Sequence, residues 1–471
     1  MKLVYQVEDR PSFGKTVVFA IQQLLAIMAA TLVVPVIIGN GMAPSAALFG
    51  AGVGTIVYLL FTKFKSPVFL GSSFAFLGSM AAAFSGAVSV SLGYLGLIIG
   101  AILAGLVYVA IAIAVKYAGV EWLNKLMPPV VIGPTVAIIG LSLAGNAVGD
   151  AQKGGVTEAV TDLIIKDGAI EQVTNFVPTA HPLICILIAL VTLVTVVLCS
   201  TYGKKMMKLI PFIIGILVGY AVALIFTIIG NLADAPALMV ISFDSFKALV
   251  ADGVKITTFV DLPDFTFITA FGAFGELSLE YFVMILAAYV PVAFVVFAEH
   301  VADHKNISSI IERDLLEEPG LSRTLLGDGV GSMAGAFFGG CPNTTYGESV
   351  ACVAITGNAS VVTILFAAIG AIGISFLSPF VAFVNSIPPC VMGGVCIALY
   401  GFIAVSGLKM IQKVDLGLNK NLFVVSTILI CGIGGLALNF GAVTITSIAT
   451  ALILGILVNI LLKNSKEESV E

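Results

Sequence analysis

Charge is what this sequence has least of. Of its 471 residues only 10% are Asp, Glu, Lys or Arg, against 59% hydrophobic ones. Soluble domains carry about 25% charged residues, so too few are present here to clothe a water-facing surface. The chain also lacks a basic cluster and has a net charge of −5, which excludes tracking of a nucleic-acid backbone. Its seven cysteines are odd in number, without CxxC spacing and mostly set in apolar stretches. They read as small buried hydrophobes rather than a disulfide scaffold. Regular alternation of apolar and polar residues is missing too, which argues against a β-barrel. What remains is an all-α polytopic membrane protein, because the apolar residues come in runs long enough for helical spans of roughly 20 residues each.

The first run begins near Thr16 and continues past Pro35. It is too long for a signal-peptide core and has no clear cleavage site, so it reads as a retained span. Gly, Pro and charge clusters then predict spans near 44–62, 67–86, 89–115, 127–147, 180–200 and 207–230. A second set follows near 281–304, 323–340, 343–356, 360–384, 387–407, 420–438 and 442–462, which makes fourteen. The segments 67–86 and 343–356 are short or rich in small residues. With both termini cytoplasmic, 18 of the 22 basic residues fall in inside loops, Lys205, Lys208, Lys413, Lys463 and Lys466 among them. The other four, Lys153, Lys166, Lys247 and Lys255, lie in two long outer loops, 146–178 and 231–277, with eleven carboxylates such as Asp150 and Asp252. Long loops cross largely regardless of charge.

Seven spans on each side of the second loop predict a 7+7 inverted repeat, since halves of odd span number must have opposite topology. Met127-Pro128-Pro129 and Ile387-Pro388-Pro389 open the fifth span of each half. Ser72-Ser73-Phe74-Ala75 and Thr344-Thr345-Tyr346-Gly347 open the third: two hydroxyls, an aromatic and a small residue. In these third spans Pro67, Gly71, Pro342 and Gly347 interrupt the apolar run. Non-helical backbone at membrane depth is tolerated only where protein buries it or it lines a cavity. Close helix packing by small residues is the plainer alternative. Glu348 tips the balance, because an ionisable group there costs roughly 2.5–3.5 kcal/mol and is a functional candidate by default.

The stretch Gly340-Cys341-Pro342-Asn343-Thr344-Thr345-Tyr346-Gly347-Glu348, with Gly71 to Phe76 and Ala298-Glu299-His300, resembles the nucleobase/ascorbate transporter (nucleobase:cation symporter) family, within it the bacterial uracil permease branch. The resemblance runs from about Phe19 to Leu462. It implies short antiparallel strands in the third and tenth segments, meeting between half-helices where a pyrimidine sits. Glu299 and Glu348 would then hydrogen-bond the base, the amides of Phe74 and Gly347 would meet its carbonyl oxygens, and Tyr346 would wall the pocket. It further implies a core domain of residues 11–126 and 278–386, and a gate domain of 127–231 and 387–463, with dimers as the assembly. The implied activity is secondary active import of uracil by proton symport, without cofactor or enzymatic chemistry. Glu299, Asp303 and Glu348 are the candidate proton carriers. A xanthine or purine permease of the same family is the alternative, and an anion transporter or channel of the same fold a more distant one. No P-loop is present, so ATP-driven transport has no support.

Uracil offers two N–H donors and two carbonyl acceptors in one plane, and carboxylates with backbone amides are the complementary set. Two departures from the family pattern stand out. Ser349 and Ala351 replace its Asn and Gly, and the first span reads Gln22-Gln23 where uracil permeases often have Gln-His.

On the eighth span Glu299 and Asp303 share one helix face, while His300 and His304 share a neighbouring one. The bland alternative for the carboxylates is a solvated helix end. The two histidines have the spacing of metal ligands, but the HExxH signature needs Glu after the first His, and here Val301 follows. A zinc protease is thus the weaker reading. Gly331, Gly335 and Gly339 form a doubled GxxxG read as packing within one subunit. Tyr400 is read as either a pocket or a core tyrosine.

Overall fold

The computed structural model describes residues 3–119, 121–166, 169–204, 206–251, 253–440 and 443–462. Lys2, Lys205, Asp252, Lys463 and Lys466, which enter the loop-charge reading, lie outside them. Among the described residues, eight helices are long and apolar enough to cross a membrane: Phe13–Ile38, Pro44–Phe61, Val90–Ala118, Pro129–Asp150, Pro182–Tyr202, Pro211–Leu232, Leu279–Ile311 and Pro389–Ile411. The chain is therefore a largely helical, multi-pass membrane protein. Proline opens several of these helices, including those at Pro44, Pro182 and Pro211, where its missing N–H costs nothing. Ser89 and Ser278 cap others, their hydroxyls accepting from the N–H groups of Leu92 at 3.0 Å and Tyr281 at 3.1 Å.

The remaining predicted segments hold shorter pieces. Segments 67–86 and 343–356 each split into a three-residue strand and a short helix: Leu70–Ser72 before Leu77–Ser85, and Asn343–Thr345 before Gly347–Thr356. Segment 360–384 is two helices, Val361–Ser375 and Ser378–Ser386. The last two segments are shorter than hydropathy suggests, because Leu438–Phe440 and Val443–Ile445 pair as strands between helices Asn419–Ile433 and Ser447–Leu461. Helix Leu321–Gly339 carries Arg323, Asp328 and five glycines.

The chain divides into two compact units. The first comprises Met1–Ser142, Asp261–Leu377 and Tyr400–Glu471. Inside it the helices Pro44–Phe61 and Leu321–Gly339 lie backbone to backbone. A Cβ on Gly331 would fall 2.7 Å from the Gly54 carbonyl oxygen, and one on Gly339 would fall 2.5 Å from that of Ala46. This is the contact that the doubled GxxxG serves, and it lies within the subunit. Behind it, Gly105 faces the Gly329 carbonyl oxygen in the same way, at 2.8 Å. The strands Leu70–Ser72 and Asn343–Thr345 pair antiparallel, Leu70 opposite Thr345 and Ser72 opposite Asn343.

The second unit comprises Leu143–Val260 and Ser378–Leu399. The 146–178 loop, expected from the sequence as a plain outer loop, is largely a β-hairpin, Thr157–Lys166 paired with Ala169–Pro178. Its Thr, Val and Ile content favours strand, but acidic residues between them masked the pattern. The start of the 231–277 loop returns to helix Pro211–Leu232, where the Thr227 hydroxyl accepts from the N–H groups of Val240 at 3.1 Å and Ile241 at 3.0 Å. Short helices, Asp244–Val250 among them, make up much of the rest of that loop.

Candidate functional site

The strand crossing is held by backbone and side-chain hydrogen bonds on both strands. Ser73 N–H donates to Pro342 O at 2.9 Å and Tyr346 N–H to Phe69 O at 3.2 Å, extending the pairing beyond both ends of the two strands. The Thr55 hydroxyl accepts from Leu70 N–H at 2.9 Å and donates to Ala51 O at 2.8 Å, fixing one strand to helix Pro44–Phe61. Asn343 Nδ2 donates to Gly50 O at 3.0 Å and fixes the other. At Gly71 a Cβ would lie 2.4 Å from the Tyr346 ring and 2.9 Å from Thr31 Oγ1, so only glycine fits. Tyr346 folds back over the crossing, its phenol donating to Ser72 O at 2.8 Å.

Tyr346 precedes helix Gly347–Thr356 without a side-chain cap, so the first-turn N–H groups gain no partner from it. Gly347 is exposed and Glu348 half-buried in that turn. Opposite stands Asp303. Its Oδ2 accepts from Thr345 Oγ1 at 2.8 Å, and its Oδ1 lies 3.9 Å from where a Cβ on Gly347 would be. Glu299 sits one turn earlier on helix Leu279–Ile311, which packs against both strand Asn343–Thr345 and helix Gly347–Thr356. Four of the residues singled out from sequence, Glu299, Asp303, Gly347 and Glu348, are thus gathered at one place. Phe74 leaves the crossing at the opposite end from Tyr346, because antiparallel pairing sends the two strands in opposite directions. Its ring meets the Tyr400 ring edge-on at 5.7 Å, and both are buried. Tyr400 is therefore a neighbour of Phe74.

The histidines face away into protein. His300 Nδ1 is 2.7 Å from Asp328 Oδ2 and its Nε2 3.0 Å from Thr324 Oγ1. His304 Nδ1 is 2.8 Å from His300 O and its Nε2 2.7 Å from the Tyr58 hydroxyl. With all four ring nitrogens so engaged and both rings fully buried, they hold helices together rather than presenting a metal site.

A family model described as a permease family matches residues 14–441. The chain belongs to that family, the nucleobase/ascorbate transporters. Among its relatives, a uracil permease of Bacillus caldolyticus is 38% identical over 98% of this chain and 95% of its own length. A uracil permease of Escherichia coli K12 is 34% identical, over 97% and 93%. In fold it is similar to the transmembrane domain of the cyanobacterial bicarbonate transporter BicA, with a TM-score of 0.61 at 14% identity, covering 97% of this chain and 100% of that one. The murine anion transporter Slc26a9 also gives 0.61, at 11% identity, over 97% and 69%.

In this permease the two departures from the family pattern touch each other. Gln23 Nε2 donates to Ser349 Oγ, which also accepts from Phe69 N–H at 3.0 Å. The pair ties the first helix to both interrupted segments, at the residue that follows Glu348. Sequence reasoning noted Gln23 and Ser349 separately, without the contact. Thr345, which holds Asp303, was visible only as half of a Thr-Thr pair.

Proposed function

We propose that this permease imports uracil by proton symport. The observation that carries the reading is near full-length identity of 38% and 34% to two proteins named uracil permease. The chemistry of the residues singled out from sequence agrees with it, four of them gathered at one place and Phe74 standing at the other end of the strand crossing. Glu299 and Glu348 are acceptors suited to the two ring N–H groups, the Gly347 and Phe74 amides are donors suited to the carbonyl oxygens, and Tyr346 and Phe74 supply apolar walls. A site presenting carboxylates disfavours an anion as cargo. Asp303, held by Thr345 one turn from Glu299, joins Glu299 and Glu348 as a candidate proton carrier.

The same reading makes the fourteen segments fourteen crossings of the cell membrane in a 7+7 inverted arrangement, with both termini cytoplasmic. Residues 11–126 and 278–386 act as the substrate-holding core, and 127–231 and 387–463 as the gate. The test is uptake of radiolabelled uracil in cells expressing the protein, competed by unlabelled uracil, xanthine, uric acid, thymine and ascorbate. Uracil is expected to compete at the lowest concentration. Stronger competition by xanthine would move the assignment to the purine alternative.

A further inference from the structure

The residues ahead of the first helix are tied to the far end of the candidate site. The Gly357 carbonyl, at the end of helix Gly347–Thr356, accepts from the N–H groups of Val4 at 2.7 Å and Tyr5 at 3.2 Å. Returning bonds run from Ala359 N–H to Tyr5 O at 3.0 Å and from Val361 N–H to Val7 O at 3.1 Å. Ser360 Oγ donates to Asp9 O at 2.6 Å. Val7 is buried, and Tyr5 sets its ring edge-on against Phe19 at 6.0 Å with Lys15 Nζ on its hydroxyl at 3.1 Å. On the other flank Arg313, two residues past helix Leu279–Ile311, donates from Nη1 to Glu8 Oε1 at 2.5 Å. That bond holds the Glu8 carboxyl below its ordinary pKa.

One short strap therefore joins the ends of two helices, one bearing Glu299 and Asp303, the other beginning with Gly347 and Glu348. The second helix has ten residues, and helices that short owe their placement to tertiary contacts. We propose that Leu3–Arg10 is a positioning element that sets the spacing of the Glu299 and Glu348 carboxylates, with Glu8 and the Val4 and Tyr5 amides as positioning groups. The proposal rests on the uracil reading for its ligand and for the roles of Glu299 and Glu348.

Three full-length variants and one deletion test it: Glu8→Arg, Arg313→Glu, the two combined, and removal of residues 3–8. Each is purified in detergent and measured for equilibrium binding of radiolabelled uracil. Each is also measured without uracil for amide hydrogen exchange in residues 347–356. Either single reversal should weaken binding by about twofold to fivefold, the range an exposed ion pair spans, and the combined reversal should recover it. The deletion should weaken binding further and speed exchange in residues 347–356 while leaving helix Pro182–Tyr202 unchanged. Unchanged exchange in the deletion, or faster exchange with undiminished affinity, overturns the proposal. If the parent protein binds no uracil, the transport reading fails instead, and the exchange measurement alone decides on the strap.

Discussion

Gly347 has room for a side chain, since a Cβ there would meet only Asp303 Oδ1 at 3.9 Å. A valine at 347 should therefore fold and reach the membrane, yet place β-branched bulk where the proposed site brings the backbone to the base. Uracil binding by Gly347→Val is expected to fall at least tenfold, about 1.4 kcal/mol, at normal membrane abundance. Near-normal affinity would place the pocket elsewhere. Glu299 and Glu348 separate in a different way. Gln keeps a carbonyl acceptor but cannot carry a proton, so Glu299→Gln should retain uracil exchange while losing accumulation driven by an imposed pH gradient in proteoliposomes. On the proposed reading Glu348→Ala removes an acceptor for a ring N–H and should weaken binding itself by roughly 1–3 kcal/mol. Proton-driven accumulation by Glu299→Gln would pass the coupling role to Asp303 or Glu348. Both carboxylates stood out in sequence because a charge in an apolar run is a functional candidate by default, although Glu299 also read as a solvated helix end. The contacts of Thr345 and Ser349 did not, because a hydroxyl in a membrane segment reads equally as a packing residue, and only the fold brings these residues to Asp303 and Gln23.

Among elements, the glycine helix Leu321–Gly339 makes the sharpest demand. The nearest atoms to a Cβ on Gly339 are backbone atoms of Ala46 and Ala47, which cannot turn aside as a side chain would. Gly339→Ala must push helices Pro44–Phe61 and Leu321–Gly339 apart, and overpacking of this kind costs about 1–3 kcal/mol. A lowered thermal midpoint in detergent is expected, whereas Gly373→Ala, with nothing within 4 Å of the added Cβ, should melt as the parent does. Equal midpoints for the two would show that the helix pair is looser than described. The period of small residues marked a close-packing face in advance without naming the helix it meets, and Pro67, Gly71, Pro342 and Gly347 marked where the helical pattern breaks. The hairpin Thr157–Pro178 escaped because hydropathy recognises membrane segments by apolar runs, and strands outside such runs leave no comparable trace. The pairing of Leu438–Phe440 with Val443–Ile445 was hidden for the opposite reason, inside two runs apolar enough to read as spans.

At the scale of the whole molecule, sequence carries information on orientation that helix geometry alone does not, because the bias of Lys and Arg reflects how the chain was inserted. An odd miscount of spans would exchange the sides of every later loop, so one labelling experiment tests number and orientation together. Six of the seven native thiols are buried, and only Cys431 is partly accessible, so Cys431→Ala supplies a quiet background. On it, Lys153→Cys and Lys255→Cys probe the two acidic loops, and Lys208→Cys and Lys413→Cys probe turns rich in lysine. All four positions are exposed, so access to reagent depends on the side of the membrane rather than on burial. With fourteen crossings and both termini inside, an impermeant maleimide added to intact cells should label positions 153 and 255 and leave 208 and 413 unlabelled until the cells are opened. Labelling at 208 in intact cells would mean that the first half crosses the membrane a different number of times. Labelling at 413 alone would put the error between the second acidic loop and helix Asn419–Ile433, where segment 360–384 is the first to re-examine because it is broken into two helices.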